Sequence, residues 1–250
     1  MSTDYKELRE WTIDRLNWLH GFCGDSDLNL ETKRLAQAKE DIAGQLKQIR
    51  EGRYRVVLLG SFNVGKSTLI NALLGDEILP PLMEPCTAKT VYLMHVDKGI
   101  SVSGTMNNKL DKQAEKSLGC LQKGAFKVSP DRMTFDLELS SDGAKKGLRE
   151  LLESLVTVKA YSTDCELAKV VNDLAEVRIK MPLPRWAEDI VLTDTPGVHS
   201  MSDTEESVTY GVIGQAHLVL FIFDSEYGGN RHDFAFMRRI VENRRRQMFF

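Results

Sequence analysis

The residues best suited to chemistry are Gly60-Ser61-Phe62-Asn63-Val64-Gly65-Lys66-Ser67, which read G-x-x-x-x-G-K-[ST]. Each position has a physical reason. Gly60 and Gly65 let the backbone wrap closely around phosphate oxygens, while loop amides and a following helix N-terminus point at the anion. Lys66 sets a cation against the β- and γ-phosphates, and the Ser67 hydroxyl can ligate Mg²⁺. Positions 60 to 68, Thr68 included, are the expected nucleotide contacts. A second group follows at Asp194-Thr195-Pro196-Gly197. An acid ending an apolar strand can hold Mg²⁺, commonly through water. Gly197 lets the backbone approach a γ-phosphate, so its N–H can sense whether that phosphate is present.

These groups need elements to position them. Tyr54-Arg55-Val56-Val57-Leu58-Leu59 reads as a buried strand, and Ser67-Thr68-Leu69-Ile70-Asn71-Ala72-Leu73-Leu74 as an amphipathic helix. Strand, glycine loop, helix is the context in which the motif is credible. Beyond Val56 the pattern alternates between strands (55–59, 91–96, 176–181, 189–193, 217–223) and helices (67–74, 143–156, 163–174, 232–245). That alternation predicts an α/β fold, a mostly parallel sheet flanked by helices.

Residues 1–52 form a separate helical segment ahead of a domain spanning 53–250. Leu8, Trp11, Arg15 or Leu16, and Leu19 make one stripe; Leu35, Ala38, Ile42, Leu46 and Ile49 make another, with Asn29 as N-cap. Lys66 and Asp194 stand 128 positions apart. The material between, roughly 98 to 175, reads as an insertion on the sheet, with alternating strands at Ile100/Val102 and Phe135/Leu137/Leu139.

Composition narrows the function classes. The chain has 250 residues, 42% hydrophobic and 28% charged, enough for a packed core. Net charge is −3, which gives no reason to expect nucleic acid as a partner. Cys23, Cys86, Cys120 and Cys165 are scattered and read as reduced thiols of a cytoplasmic protein. The longest apolar run, Leu218 to Phe223, is too short to span a bilayer. The basic Arg238, Arg239 and Arg244-Arg245-Arg246 suit a helix C-terminus.

Asp-x-Pro-Gly downstream of a phosphate loop resembles the GTPase class. The sharper resemblance is to dynamin-like large GTPases, especially bacterial ones. It rests on residues 60–75 as phosphate loop and first helix, Glu77-Ile78-Leu79-Pro80 with Pro85-Cys86-Thr87-Ala88 as first switch, 177–197 as the approach to the second switch, and 216–224 as the next strand. The resemblance implies a P-loop GTPase fold that binds GTP, hydrolyses it to GDP with Mg²⁺, and self-associates across the nucleotide face. It also implies, by analogy alone, peripheral contact with membrane lipid. In this frame Thr87 is the switch threonine that ligates Mg²⁺, with Thr90 as competitor; Ser67 and Asp194 complete the metal set. Lys66, Thr87, Gly197 and Asn63 are the expected catalytic residues. Val198 stands where small GTPases place a water-orienting glutamine, and valine cannot hydrogen-bond. Phe62 cannot either, so the water-positioning group stays open, as does the alternative of a nucleotide-binding module without efficient turnover.

Guanine is read in this fold by [NT]-K-x-D after a later strand, which the resemblance places beyond Phe250. Asn108-Lys109-Leu110-Asp111 fits those letters, but it precedes Asp194 and follows no contiguous apolar strand; we read it as a loop tip.

Overall fold

The computed structural model describes residues 2–23, 32–61, 63–80, 89–120, 125–139, 144–156, 165–197, 203–223 and 231–244. The chain divides into two compact units, 1–53 and 54–250.

The first unit is a helical hairpin of α1 (Ser2–Phe22) and α2 (Thr32–Glu51). The α2 stripe at Leu35, Ala38, Ile42, Leu46 and Ile49 is the less exposed face, with Leu46 buried. On α1 the stripe has a different phase. Trp11 and Leu19 are exposed, and the sheltered positions are Thr12, Ile13, Leu16 and His20. Arg9 explains part of the pairing: its guanidinium donates to the carbonyls of Ile49 (2.9 Å) and Arg50 (2.8 Å). A cation there adds a donor to carbonyls of the last helical turn and complements the helix dipole. The expected cap Asn29 lies outside the described residues.

The second unit is an eight-stranded sheet among the described residues, in the order β4-β5-β3-β6-β2-β7-β1-β8. Its strands are β1 (Tyr54–Gly60), β2 (Thr90–His95), β3 (Ile100–Met106), β4 (Phe126–Val128), β5 (Thr134–Leu139), β6 (Leu174–Met181), β7 (Ile190–Asp194) and β8 (Leu218–Ile222). The helices are α3 (Lys66–Leu74), α4 (Lys112–Cys120), α5 (Ala144–Val156), α6 (Cys165–Asp173), α7 (Asp203–Gly214) and α8 (Arg231–Arg244).

β1 lies between β7 and β8 and runs parallel to both. From Val56 to Leu59 it is apolar and buried, because both its faces are covered there. Val56 and Leu58 join the larger core with Ile70 of α3 and Leu93 of β2. Val57 and Leu59 face the other way, onto Ile213 of α7 and Phe236 and Ile240 of α8. The sheet becomes mixed beyond β7: β2 is antiparallel to β7 yet parallel to β6.

The segment from 98 to 175 contributes β3, β4 and β5, all antiparallel to their neighbours. Alternation is strict on β3, where Ile100, Val102, Gly104 and Met106 are buried. Gly104 is required by packing: a Cβ there would stand 2.4 Å from the Phe135 ring. The fully buried Leu148, Leu151, Leu152 and Leu155 of α5 belong to the same core.

Asn108–Asp111, read from sequence as a loop tip, leads directly into α4. The Asp111 carboxylate accepts from the Ala114 amide at 2.7 Å, an N-cap for α4. The backbone and side-chain amides of Asn108 both donate to the Asp173 carboxylate.

Candidate functional site

The loop between β1 and α3 is built by its backbone angles. Gly60 has φ of 149°, Asn63 60° and Gly65 92°. Asn63 is one of the few non-glycine residues that tolerate the left-handed region. Gly65 in that region is the N-cap of α3. The helix N-terminus is thereby aimed back across the loop, the arrangement that attracts anions.

Lys66 is 8% exposed, and its amine donates to the carbonyls of Ser61 (2.8 Å) and Gly60 (3.1 Å). Burial lowers its pKa, and the charges of Asp194 and Asp233 oppose that shift. A buried ammonium with carboxylates nearby stays available to bind phosphate.

Asp194 ends β7, with Leu58 of β1 and Val91 of β2 as its register partners. The Ser67 hydroxyl donates to its Oδ2 at 2.5 Å. Its Oδ1 is buried and has no hydrogen-bond partner among the described residues. Burial raises the Asp194 pKa; the Ser67 hydrogen bond and then the Lys66 charge pull against it. A buried oxygen left unpaired beside a serine hydroxyl suits a hard divalent cation such as Mg²⁺, which prefers oxygen donors. Among the described residues no cluster of three or more His, Cys, Asp or Glu side chains could hold a metal unaided.

Thr195 is buried and donates from Oγ1 to the Leu58 carbonyl at 2.7 Å, which ties the second loop to β1. Gly197 is buried just beyond it. Lys66, Ser67, Asp194 and Gly197 are therefore placed by neighbouring strands β1 and β7. Thr68 is exposed on α3, at the mouth of a cleft of about 570 Å³ that runs past Asn71 to Arg149. Thr90 is buried at the head of β2, paired with Glu176. Phe62, Thr87 and Val198 lie outside the described residues.

Two residues of the site were not legible in sequence. Asn71 fastens the connector after α3: its Oδ1 accepts from the amides of Ile78 (3.1 Å) and Leu79 (2.9 Å), and its Nδ2 donates to the Leu79 carbonyl (2.8 Å). Its removal strands three backbone groups, so Asn71→Ala should cost about 2 kcal/mol. Thermal melting by circular dichroism should show a fall of roughly 5 °C. An unchanged melting temperature would refute that role. The second residue is Asp233 of α8, whose Oδ1 accepts from Ser61 Oγ at 2.5 Å.

Comparison with known proteins settles the family. The model of the dynamin family matches residues 56–250, all of the sheet but the first two residues of β1, together with its helices. This chain belongs to the dynamin family. The domain is similar to a bacterial dynamin-like protein of Nostoc punctiforme, 22% identical over 212 residues, which cover 84% of this chain and 26% of that protein. It is similar to dynamin-like protein A of Bacillus subtilis, 21% identical over 240 residues, which cover 86% of this chain and 20% of that one. A 50-residue stretch is 48% identical to the tRNA modification GTPase MnmE of Cupriavidus metallidurans, covering 18% of this chain and 10% of that one. The chain thus spans about a quarter or less of the length of these relatives. A solved structure of an oligomerised bacterial dynamin pair shares the fold, with a TM-score of 0.50 at 18% identity over 98% of this chain and 32% of that one. As a member of the dynamin family, the chain carries its long insertion as the antiparallel extension β4-β5-β3 of the sheet.

Proposed function

We propose that this chain binds GTP with Mg²⁺ and hydrolyses it to GDP. The observation that carries the reading is the Ser67–Asp194 contact beside the buried amine of Lys66, three groups brought together from two elements. Loop amides and the α3 N-terminus would bind the phosphates, with Lys66 set against the β- and γ-oxygens. Ser67, Asp194 and Thr87 would hold Mg²⁺, which supplies positive charge against oxygens that become more negative as the γ-phosphoryl leaves. Water attacks that phosphoryl in line, so the chain contributes positioning and electrostatics. Asn63, which is exposed in the loop, and the amide of Gly197 would act near the γ-phosphate. Thr87 and Gly197 would release their loops when that phosphate departs.

Valine at position 198 offers no water-orienting group, which favours turnover assisted by a second copy. The fold neighbour is described as an oligomerised pair that tethers membranes. Self-association across the nucleotide face, and a peripheral membrane role for the protein in the cytoplasm, are proposed on that likeness. No helix among the described residues is long and apolar enough to cross a membrane.

Phosphate release measured against protein concentration tests this. The expected rate rises more steeply than linearly, as dimer-assisted turnover requires. Strict proportionality over a wide range would contradict dimer assistance. Measurable binding with no release at any concentration would favour a nucleotide-binding module without turnover.

A further inference from the structure

Asp233 and Ser61 are 172 positions apart in sequence, yet their side chains meet at 2.5 Å. Asp233 sits in the first turn of α8 and is 4% exposed. The helix that carries it is held to the sheet by Phe236 and Ile240, packed with Val57 and Leu59 of β1. A carboxylate in a first helical turn ordinarily serves the helix dipole, and Asp233 can do so with the rest of its acceptor capacity. A dipole role requires neither burial nor a partner in the phosphate loop. Burying a carboxylate is costly unless it is hydrogen-bonded, so a buried acid that accepts from the loop needs a reason. Ser61 is held on two sides. Its hydroxyl goes to Asp233, while its carbonyl accepts the Lys66 amine at 2.8 Å. The Asp233 charge also acts on Lys66, in the direction that keeps the amine protonated.

We propose that Asp233 is a positioning residue for the nucleotide phosphates. It fixes Ser61, and through the Ser61 carbonyl it fixes the seat of the Lys66 amine. This rests on the reading of residues 60–67 as a phosphate site. It makes α8 part of the phosphate-binding apparatus, so that a shift of the loop on nucleotide binding is felt by a helix packed on the far face of β1.

The test is equilibrium binding of a fluorescent GTP analogue with Mg²⁺ to five forms of the chain: wild type, Ser61→Ala, Asp233→Ala, Asp233→Asn and the double alanine variant. Each single alanine change should weaken binding about tenfold, and the double variant should lose no more than either single, because both remove one interaction. Asp233→Asn keeps an oxygen that can accept from Ser61, and its affinity should stay within about threefold of wild type. Wild-type affinity in Ser61→Ala would overturn the proposal. So would losses that multiply to about a hundredfold in the double variant, since the two residues would then act independently. If Asp233→Ala does not fold, Ser61→Ala, a change within the loop, still decides between the outcomes. Failure of the wild type itself to bind would bring down the phosphate-site reading, and this proposal with it.

Discussion

Replacing Lys66 with alanine should weaken Mg²⁺-GTP binding about a hundredfold or more while the chain remains folded. A hydrogen bond to a charged group contributes roughly 1.5–3 kcal/mol, and each ~1.4 kcal/mol is tenfold in affinity. Lys66 would face two phosphates at once, so the loss should reach the upper part of that range. The fold should survive for a local reason. Among the described residues the amine donates to carbonyls of its own loop, those of Gly60 at 3.1 Å and Ser61 at 2.8 Å. Its removal leaves Asp194 without a nearby cation, but burial already pushes the Asp194 pKa up, so that acid can take a proton instead of standing as a bare charge. Binding and melting curves on the same preparation check both halves. Retained affinity would sink the phosphate-loop assignment.

Gly60→Ala should do more damage, and of another kind. A Cβ at this position would lie 2.3 Å from the Ile222 carbonyl oxygen and 2.9 Å from Val64 Cγ2, on a backbone with φ of +149°. Gly60 and Ile222 are register partners in the parallel β1–β8 pair, so the clash is with backbone and cannot be relieved by turning a side chain. We expect a loss of about 3–5 kcal/mol, from strain in a conformation nearly reserved for glycine plus the parting of two core strands. Denaturant titration would show it as a lower midpoint, with nucleotide binding lost in parallel. A midpoint equal to wild type would mean that the strand end can move aside, and the tight approach of β1 to β8 would not be required.

Much of this architecture was legible in sequence where one local pattern carried it. Val56–Leu59 is apolar on both faces and bounded by a glycine, and it lies in a strand paired on both sides, between β7 and β8. Residues 189–193 read as a strand that delivers Asp194; the strand runs over Ile190–Asp194 and pairs with β1 as a parallel neighbour. The alternating residues of β3 and β5 announced an extension of the sheet. What escaped had weak local signals. α4 buries only Ala114 and Leu118 on an otherwise polar surface, so its period is hard to see. α7 begins with a run of acidic and hydroxyl residues, and β4 is three residues long. The direction of β2 is set by its neighbours, because strand direction leaves no trace in side-chain alternation. On α1 helical spacing suggested a stripe that includes Trp11 and Leu19, yet these are exposed at 57% and 39%; spacing of large apolar residues alone did not mark the packed face.

The site divides along the same line. The phosphate loop and Asp194 have letters that the chemistry itself demands. Asn71 and Asp233 are ordinary residues whose partners are chosen by the fold: Asn71 reaches a connector seven and eight positions on, and Asp233 reaches across 172. No spacing rule could have paired Asp233 with Ser61 before the sheet and α8 were in place.

The central claim is that residues 60–67, with Asp194, form a working Mg²⁺-nucleotide site. Calorimetric titration of the 250-residue chain with GTP, with Mg²⁺ and then with excess chelator, tests it most directly. The account predicts saturable one-to-one binding that requires Mg²⁺ and is displaced by GDP. No saturable binding, or binding indifferent to the chelator, would contradict it.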